Sequence, residues 1–346
     1  PGARSGSRCG AKVVRQRVDG RDAECVQTWA KQANRGRKCA STRAGGDASA
    51  QIELDQTARR LRHCALSRNA ILHRRTLGIM NDARHAAPIL IARYLANGHA
   101  HYGRLSGDAF ERLSDAPWLG GAPVGRTDAR DAVQLLTPTV PTKIVCVGLN
   151  YVAHIGESQS VVSGAAPPAE PLLFFKPPSA ALASEQAIRY PRGVTRLDPE
   201  AEMGLVIGRR ARAVSELDAM SHVAGLTAFN DVSARNYQKS DGQWARAKGF
   251  DTFAPFGPYV AVGLEPRGRR VECRVNGERR QQGNTADLLF GAAFLVHFIS
   301  HVMTLEPGDV IATGTPAGIA PVEPGDVIEV EVEGVGVLRN RVELAQ

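Results

Sequence analysis

Apolar residues beyond about position 88 fall in short runs bounded by Gly, Pro, Asn and Asp, a pattern that predicts strands joined by tight turns. Ile89 to Ala96 is such a run; Asn97-Gly98 supplies a two-residue hairpin turn and His99 to Leu105 the return, closed by Ser106-Gly107-Asp108. Trp118 to Val140, rich in Gly, Pro, Thr and Asp, reads as a connection. From the run Lys143 to Val147 onward strands dominate: Pro171 to Phe175, Met203 to Ile207, Val223 to Phe229, Pro258 to Val262, Val271 to Val275, and a last pair near Val310 and Val327. Val327 to Glu333 alternates Ile328, Val330 and Val332 with Glu329, Glu331 and Glu333, which predicts a half-buried strand, and Asn276-Gly277 marks another hairpin. Asn284 to Leu305 is the one long helical pattern, with Thr285 and Asp287 as capping candidates and Pro307-Gly308 as its stop. His297 and His301 interrupt it, so it reads as a buried core helix and not as a membrane span.

Residues 1–79 break this pattern. They hold 17 Lys+Arg and 6 Asp+Glu but one aromatic residue, Trp29, so the chain's net charge of +8 resides there and the remainder is net −3. With so little apolar matter the segment is expected to be a disordered basic extension. The first methionine, Met80, stands where globular patterning begins. That favours an upstream extension outside the native protein; the alternative is an Arg-rich targeting or nucleic-acid-binding arm, although the stretch is neither acidic-poor nor amphipathic. The remaining organisation is a small β-rich N-terminal domain with its linker over 80–140 and a larger domain over 141–346. Six cysteines without a C-x-x-C pair exclude a disulfide scaffold and a conventional zinc finger. No signal peptide or spanning segment is visible, so the expected compartment is the cytoplasm, with neither membrane nor nucleic acid as a partner.

The informative chemistry is acidic. In Leu197-Asp198-Pro199-Glu200-Ala201-Glu202-Met203, Pro199 disfavours a helix and the strand that follows places Asp198, Glu200 and Glu202 on one face. Such carboxylates repel unless solvated or shared with a cation, and both readings stand on this segment alone. Asp231, at the end of the apolar run Val223 to Phe229, adds a further acid. Together Glu200, Glu202 and Asp231 form an all-oxygen donor set suited to Mg²⁺ or Mn²⁺. His297 and His301 have zincin-like spacing, but Phe298 stands where the general base belongs, so both read as core residues. His154 and Glu157 lie together if their segment is helical, forming a tunable base or an ordinary surface pair. Lys248, flanked by small and aromatic residues, reads by itself as a surface lysine. Thr313-Gly314-Thr315-Pro316 is a turn able to present N–H groups and a hydroxyl to an anionic oxygen, without the lysine of a P-loop.

These pieces, in this order, resemble the fumarylacetoacetate hydrolase family. The match runs from about Lys143 to the C-terminus through Val147-Gly148-Leu149-Asn150-Tyr151, Phe174-Phe175-Lys176-Pro177, Asp198 through Glu202, Asn230 through Arg235, Lys248 through Phe253 and Gly314-Thr315-Pro316. Ile89 to Val140 looks like the small N-terminal domain of many bacterial members. The resemblance implies a mixed α/β fold dominated by β, a mixed β-roll catalytic domain behind the small β-rich domain and basic tail, commonly a homodimer. It implies a Mg²⁺ or Mn²⁺ cofactor on Glu200, Glu202 and Asp231, and a 2-oxo or diketo acid substrate. His154 with Glu157 would activate water or move a proton, Lys248 would neutralise enolate charge, and Arg235, Gln238 and Thr315 would orient the substrate. The implied reaction is C–C hydrolysis of acylpyruvate-like or fumarylpyruvate-like acids. Decarboxylation of an oxaloacetate-type acid and isomerisation or hydration of 2-hydroxyhepta-2,4-diene-1,7-dioate-like compounds stand beside it. Asn236 departs from the family, which usually has an acid there, and the loss of that charge is expected to loosen the surroundings of Arg235.

Overall fold

The structure, a computed structural model, describes residues 87–155 and 167–345, all within the compact unit Thr76–Gln346. The expectations for 1–79, including Met80 as the start, lie outside the described residues.

The short apolar runs do form strands. Among the described residues the largest sheet has a path of Pro123–Ala129, Ala109–Leu113, His99–Ser106, Ile89–Ala96, Ala254–Val262, Val223–Asn230, Ala201–Ile207, Val310–Ala312, Ile144–Gly148 and Leu172–Lys176. Neighbours on this path are antiparallel except Val310–Ala312 beside Ile144–Gly148. A second sheet orders Glu278–Asn284, Arg270–Val275, Val327–Val332, Gly336–Leu344 and Ala187–Tyr190. Both Asn-Gly turns are hairpins, and their residues sit at positive φ, 51° and 76° for Asn97-Gly98 and 52° and 80° for Asn276-Gly277, as a two-residue turn of this kind requires.

Every residue of Ala201–Ile207 is buried, because one face of the strand packs into each of two apolar clusters. Met203 and Leu205 share a core with Ile328 and Val330 of the second sheet and with Leu295 and Ile299 of the helix Ala292–Val302. Each such side chain contributes about 1.5–3 kcal/mol by its burial. This rigid strand carries the acidic motif at its N-terminal end. In Val327–Val332 the apolar positions face inward and the glutamates stay half-exposed, as the period of two predicted.

Several elements differ from the sequence reading, among them the strands Ala109–Leu113, Ala187–Tyr190 and Gly336–Leu344, which it did not mark. The connection Trp118 to Val140 contains a strand, Pro123–Ala129, paired with Ala109–Leu113. An exposed edge strand needs backbone partners more than apolar side chains, so hydropathy did not show it. The small N-terminal unit also joins the main sheet directly, Ile89 pairing with Val262 and Ile91 with Val260. The helix is shorter than its pattern: strand pairing with Arg270–Val275 takes the chain to Asn284, and Gly291 is the N-cap. Thr285 caps nothing, because its hydroxyl donates to the Pro266 carbonyl and accepts from the Arg269 N–H. No helix among the described residues is long and apolar enough to cross a membrane.

Candidate functional site

Glu202 lies on Ala201–Ile207, Glu200 just before it and Asp231 just after Val223–Asn230. Antiparallel register sets Ala201 opposite Asn230, so the two strand ends meet and the Asp231 N–H donates to the Glu200 carbonyl at 2.9 Å. Glu200 and Glu202, two residues apart, share a side. Carboxylate oxygens of Glu200, Glu202 and Asp231 all lie within 4.8 Å of one another, and all three residues are buried, which removes the solvated-surface alternative.

Asp198 does not join them. It sits in the two-residue ladder with Ser233–Ala234, where Arg196 grips it at 2.9 and 3.0 Å and Arg235 Nε donates to it at 2.8 Å. Arg235 Nη2 also reaches Glu200 Oε1 at 2.6 Å, and Nη1 donates to Gln238 Oε1 at 2.7 Å. Asn236 turns away: its amide donates to the Gly193 carbonyl and accepts from the Thr195 N–H, both on the surface. Arg235 is held without it, so the expected loosening is not found.

Lys248 is not a surface lysine. Its ammonium is buried between Glu200 Oε2, at 2.7 Å, and Asp231 Oδ2, at 2.6 Å, and lies 4.9 Å from the centre of the Phe174 ring. Burial pulls its pKa down, but the Asp231 and Glu200 carboxylates outweigh burial and hold it above the usual lysine value. Glu202 is raised as well: burial, then Asp231 and Glu200, push its carboxyl well above the ordinary range, opposed by the Gly314 N–H on its Oε2 at 2.7 Å.

The anionic oxygen that the Gly314 turn faces is therefore Glu202. Thr315 lines the cleft, but its hydroxyl donates to the Ala201 carbonyl at 2.9 Å and accepts from Gln281 Nε2, so it braces the acidic strand. The cleft, about 270 Å³, has a charged floor and a wall that includes Leu149, Phe174, Trp244 and Ile319.

Three participants escaped the sequence reading. Lys176 is buried with its ammonium 2.7 Å from Asp231 Oδ1. Gln281 accepts from the Ala201 N–H and donates to Thr315 and to the Pro316 carbonyl. Asn150 joins Phe290 and Thr313 through its buried amide. Only Lys176 and Asn150 stood inside quoted motifs. Of the proposed acid–base pair, His154 has its backbone in the short helix Val152–Ile155, while its side chain and Glu157 lie outside the described residues. His297 is half-buried and His301 exposed, each ring bonded to a backbone carbonyl, so His301 is not a core residue.

The donor set fits a divalent cation. Oxygens of three buried carboxylates, those of Glu200, Glu202 and Asp231, converge within 4.8 Å of one another at the cleft. All-oxygen ligation is what Mg²⁺ and Mn²⁺ take.

Comparison with known proteins agrees with this geometry. Residues 143–343 match the family described as fumarylacetoacetate (FAA) hydrolase, C-terminal, and residues 90–138 the one described as Rv2993c-like, N-terminal. The mitochondrial oxaloacetate tautomerase of Xenopus laevis is 40% identical over 227 residues, 62% of this chain and 70% of that protein. The crystal structure of 2-hydroxyhepta-2,4-diene-1,7-dioate isomerase from Mycobacterium marinum is similar with a TM-score of 0.68 and 35% identity, over 74% of this chain and 98% of that one. Maleylpyruvate hydrolase from Sphingobium sp. SYK-6, solved with manganese(II) and pyruvate, has a TM-score of 0.60 and 27% identity over 74% and 100%.

Proposed function

The chain belongs to the fumarylacetoacetate hydrolase family, and on that premise we propose that it is a Mg²⁺- or Mn²⁺-dependent enzyme that turns over a 2-oxo acid through its enolate, with hydrolytic C–C cleavage of an acylpyruvate-like or fumarylpyruvate-like diketo acid as the reaction. The observation that carries the proposal is the buried triad Glu200, Glu202 and Asp231 with the Lys248 ammonium against it, at the floor of a cleft. The triad would hold the cation, whose contribution when bound is Lewis-acid polarisation of the 2-oxo group.

The remaining roles belong to the chain. Lys248 supplies a fixed positive charge where enolate charge develops, and burial makes that charge count for more than it would in water. Arg235, tied to Asp198, Glu200 and Gln238, holds the Glu200 carboxylate and presents an edge to the cleft. His154 with Glu157 activates water or moves the substrate proton. Thr315, in the turn after Val310–Ala312, lines the cleft where substrate sits and braces the acidic strand there. The protein acts as a cytoplasmic homodimer on a small molecule.

A second reading is proton transfer without cleavage, the tautomerisation or isomerisation of a 2-oxo acid. It is favoured by the higher identity to the Xenopus laevis tautomerase and the Mycobacterium marinum isomerase than to the maleylpyruvate hydrolase. One experiment separates them. Protein stripped with EDTA and resupplied with Mg²⁺ or Mn²⁺ is given acetylpyruvate, fumarylpyruvate and oxaloacetate, with the enol absorbance followed and products identified. Pyruvate and a free acid mean hydrolysis; enol loss without new products means tautomerisation; pyruvate with carbon dioxide from oxaloacetate means decarboxylation. No metal-restored turnover of any of the three overturns the proposal.

A further inference from the structure

We propose that Arg196 is a specificity-determining residue that binds a second, distal carboxylate, so that the cleft takes a long 2-oxo diacid of the fumarylpyruvate type in preference to a monoacid; the inference rests on the reading above. Arg196, Asp198, Glu200 and Glu202 all line the cleft, as alternate positions of an extended chain can. With Arg235 between them, their charges form one continuous row. Arg235 Nη2 meets Glu200 Oε1 at 2.6 Å and its Nε meets Asp198 Oδ2 at 2.8 Å, while Arg196 Nε and Nη2 fork onto the same Asp198 at 2.9 and 3.0 Å. From the triad outward the row alternates acid and cation, and it ends on a guanidinium. Asp198 is wholly buried and divides its one charge between two guanidiniums. Arg196 has 38% of its side chain exposed, and its Nη1 has no partner among the described residues.

The group that continues this row is a carboxylate, and among the described residues no acid other than Asp198 pairs with Arg196. A guanidinium takes a carboxylate through N–H groups in a fixed plane, and the fork onto Asp198 holds that plane in place before a ligand arrives. Position sets how far the second carboxylate must stand from the first. Arg196 leans on Asp198, one alternate position beyond Glu200, and in extended backbone such a step is about 6.5 Å. The short diacid oxaloacetate does not span that step from the triad, whereas the longer fumarylpyruvate does. The cleft wall agrees. Phe174 and Trp244 pack edge to face at 5.1 Å, and Trp244 lies against Gly148, where a Cβ would stand 3.0 Å from the indole. Aromatic rings of this kind suit a planar conjugated chain between the 2-oxo group and the far carboxylate.

The test measures kcat and KM of full-length, Mg²⁺-supplied protein for wild type, Arg196→Met and Arg196→Lys. The substrates are fumarylpyruvate, oxaloacetate and acetylpyruvate, which has the same 2-oxo acid head and an uncharged end. Wild type is expected to favour fumarylpyruvate over both others in kcat/KM by about 10- to 100-fold, the scale of a hydrogen bond to a charged group. Arg196→Met should remove most of that preference, chiefly through a higher KM for fumarylpyruvate, because a remote carboxylate is held alike before and during the reaction. Arg196→Lys keeps the charge without the planar fork and should retain part of the preference. A wild type without the preference, or an Arg196→Met variant that keeps it, overturns the proposal. If Arg196→Met does not fold or loses all three substrates alike, wild type decides with fumarylpyruvate against its distal amide. A loss of about tenfold or more on the amide supports the proposal, and equal kcat/KM overturns it. No turnover of any of the three by metal-restored wild type refutes the reading above as well.

Discussion

Gly314 donates its N–H to Glu202 Oε2 from a φ of 104°, and a Cβ at Gly314 would stand 2.7 Å from the Cβ of Asn150. A side chain is therefore excluded twice, by backbone conformation and by space. Gly314→Ala is expected to destabilise the protein by about 1–3 kcal/mol, the scale of a residue forced into a sparsely populated backbone region. It should also weaken Mn²⁺ binding by about tenfold or more as the N–H leaves Glu202. Thermal melts and calorimetric titration measure the two effects, and wild-type values in both would show that the turn is dispensable.

Asp231 neutralises two buried ammonium groups, so its removal has a structural cost beyond the lost ligand. Asp231→Ala should abolish metal-dependent turnover and lower stability by about 3–5 kcal/mol, the cost of an unpaired buried charge. Adding Lys176→Met should recover part of that loss. Urea unfolding of both single variants and the double variant measures the coupling, and strict additivity would mean that the Lys176 pair does not matter to the fold.

For His154→Ala the expectation differs. Metal affinity should survive while kcat falls by about 10² to 10⁴, the contribution of a general acid–base group. An unchanged rate would remove His154 from the mechanism and leave the chemistry to the cleft floor.

Tyr94 provides a pH test in the N-terminal strands. Burial first, and then the Asp128 carboxylate that accepts its hydroxyl proton at 2.7 Å, push its pKa up to about 12. The folded value exceeds the unfolded one, so this stabilisation is fully present below pH 10 and is lost as pH rises from 10 to about 12. Tyr94→Phe should show a shallower loss of stability across that interval than wild type. Unfolding midpoints at pH 9 and pH 11.5 compare the slopes, and equal slopes would contradict the pairing.

The chain read as a string already marked Glu200, Glu202 and Asp231. A strand's period of two puts the first pair on one side, and an apolar run stopping at an acid marks a strand end, both of which are local rules. The two Asn-Gly hairpins and the glutamate alternation in Val327–Val332 were legible for the same reason. What the string could not contain was which charges meet. Asp198 shares the period of Glu200 and Glu202 yet is taken by Arg196 and Arg235, and Lys248, which looked like a surface residue, ends the short helix Ala245–Lys248 buried against Glu200 and Asp231. Lys176 ends the strand Leu172–Lys176 at the far edge of the large sheet path and meets Asp231 only because strand ends distant in sequence converge. Periodicity records the direction of a side chain from its own backbone, whereas the partner of a buried charge is chosen by non-local strand register and by the cost of leaving any charge unpaired away from water.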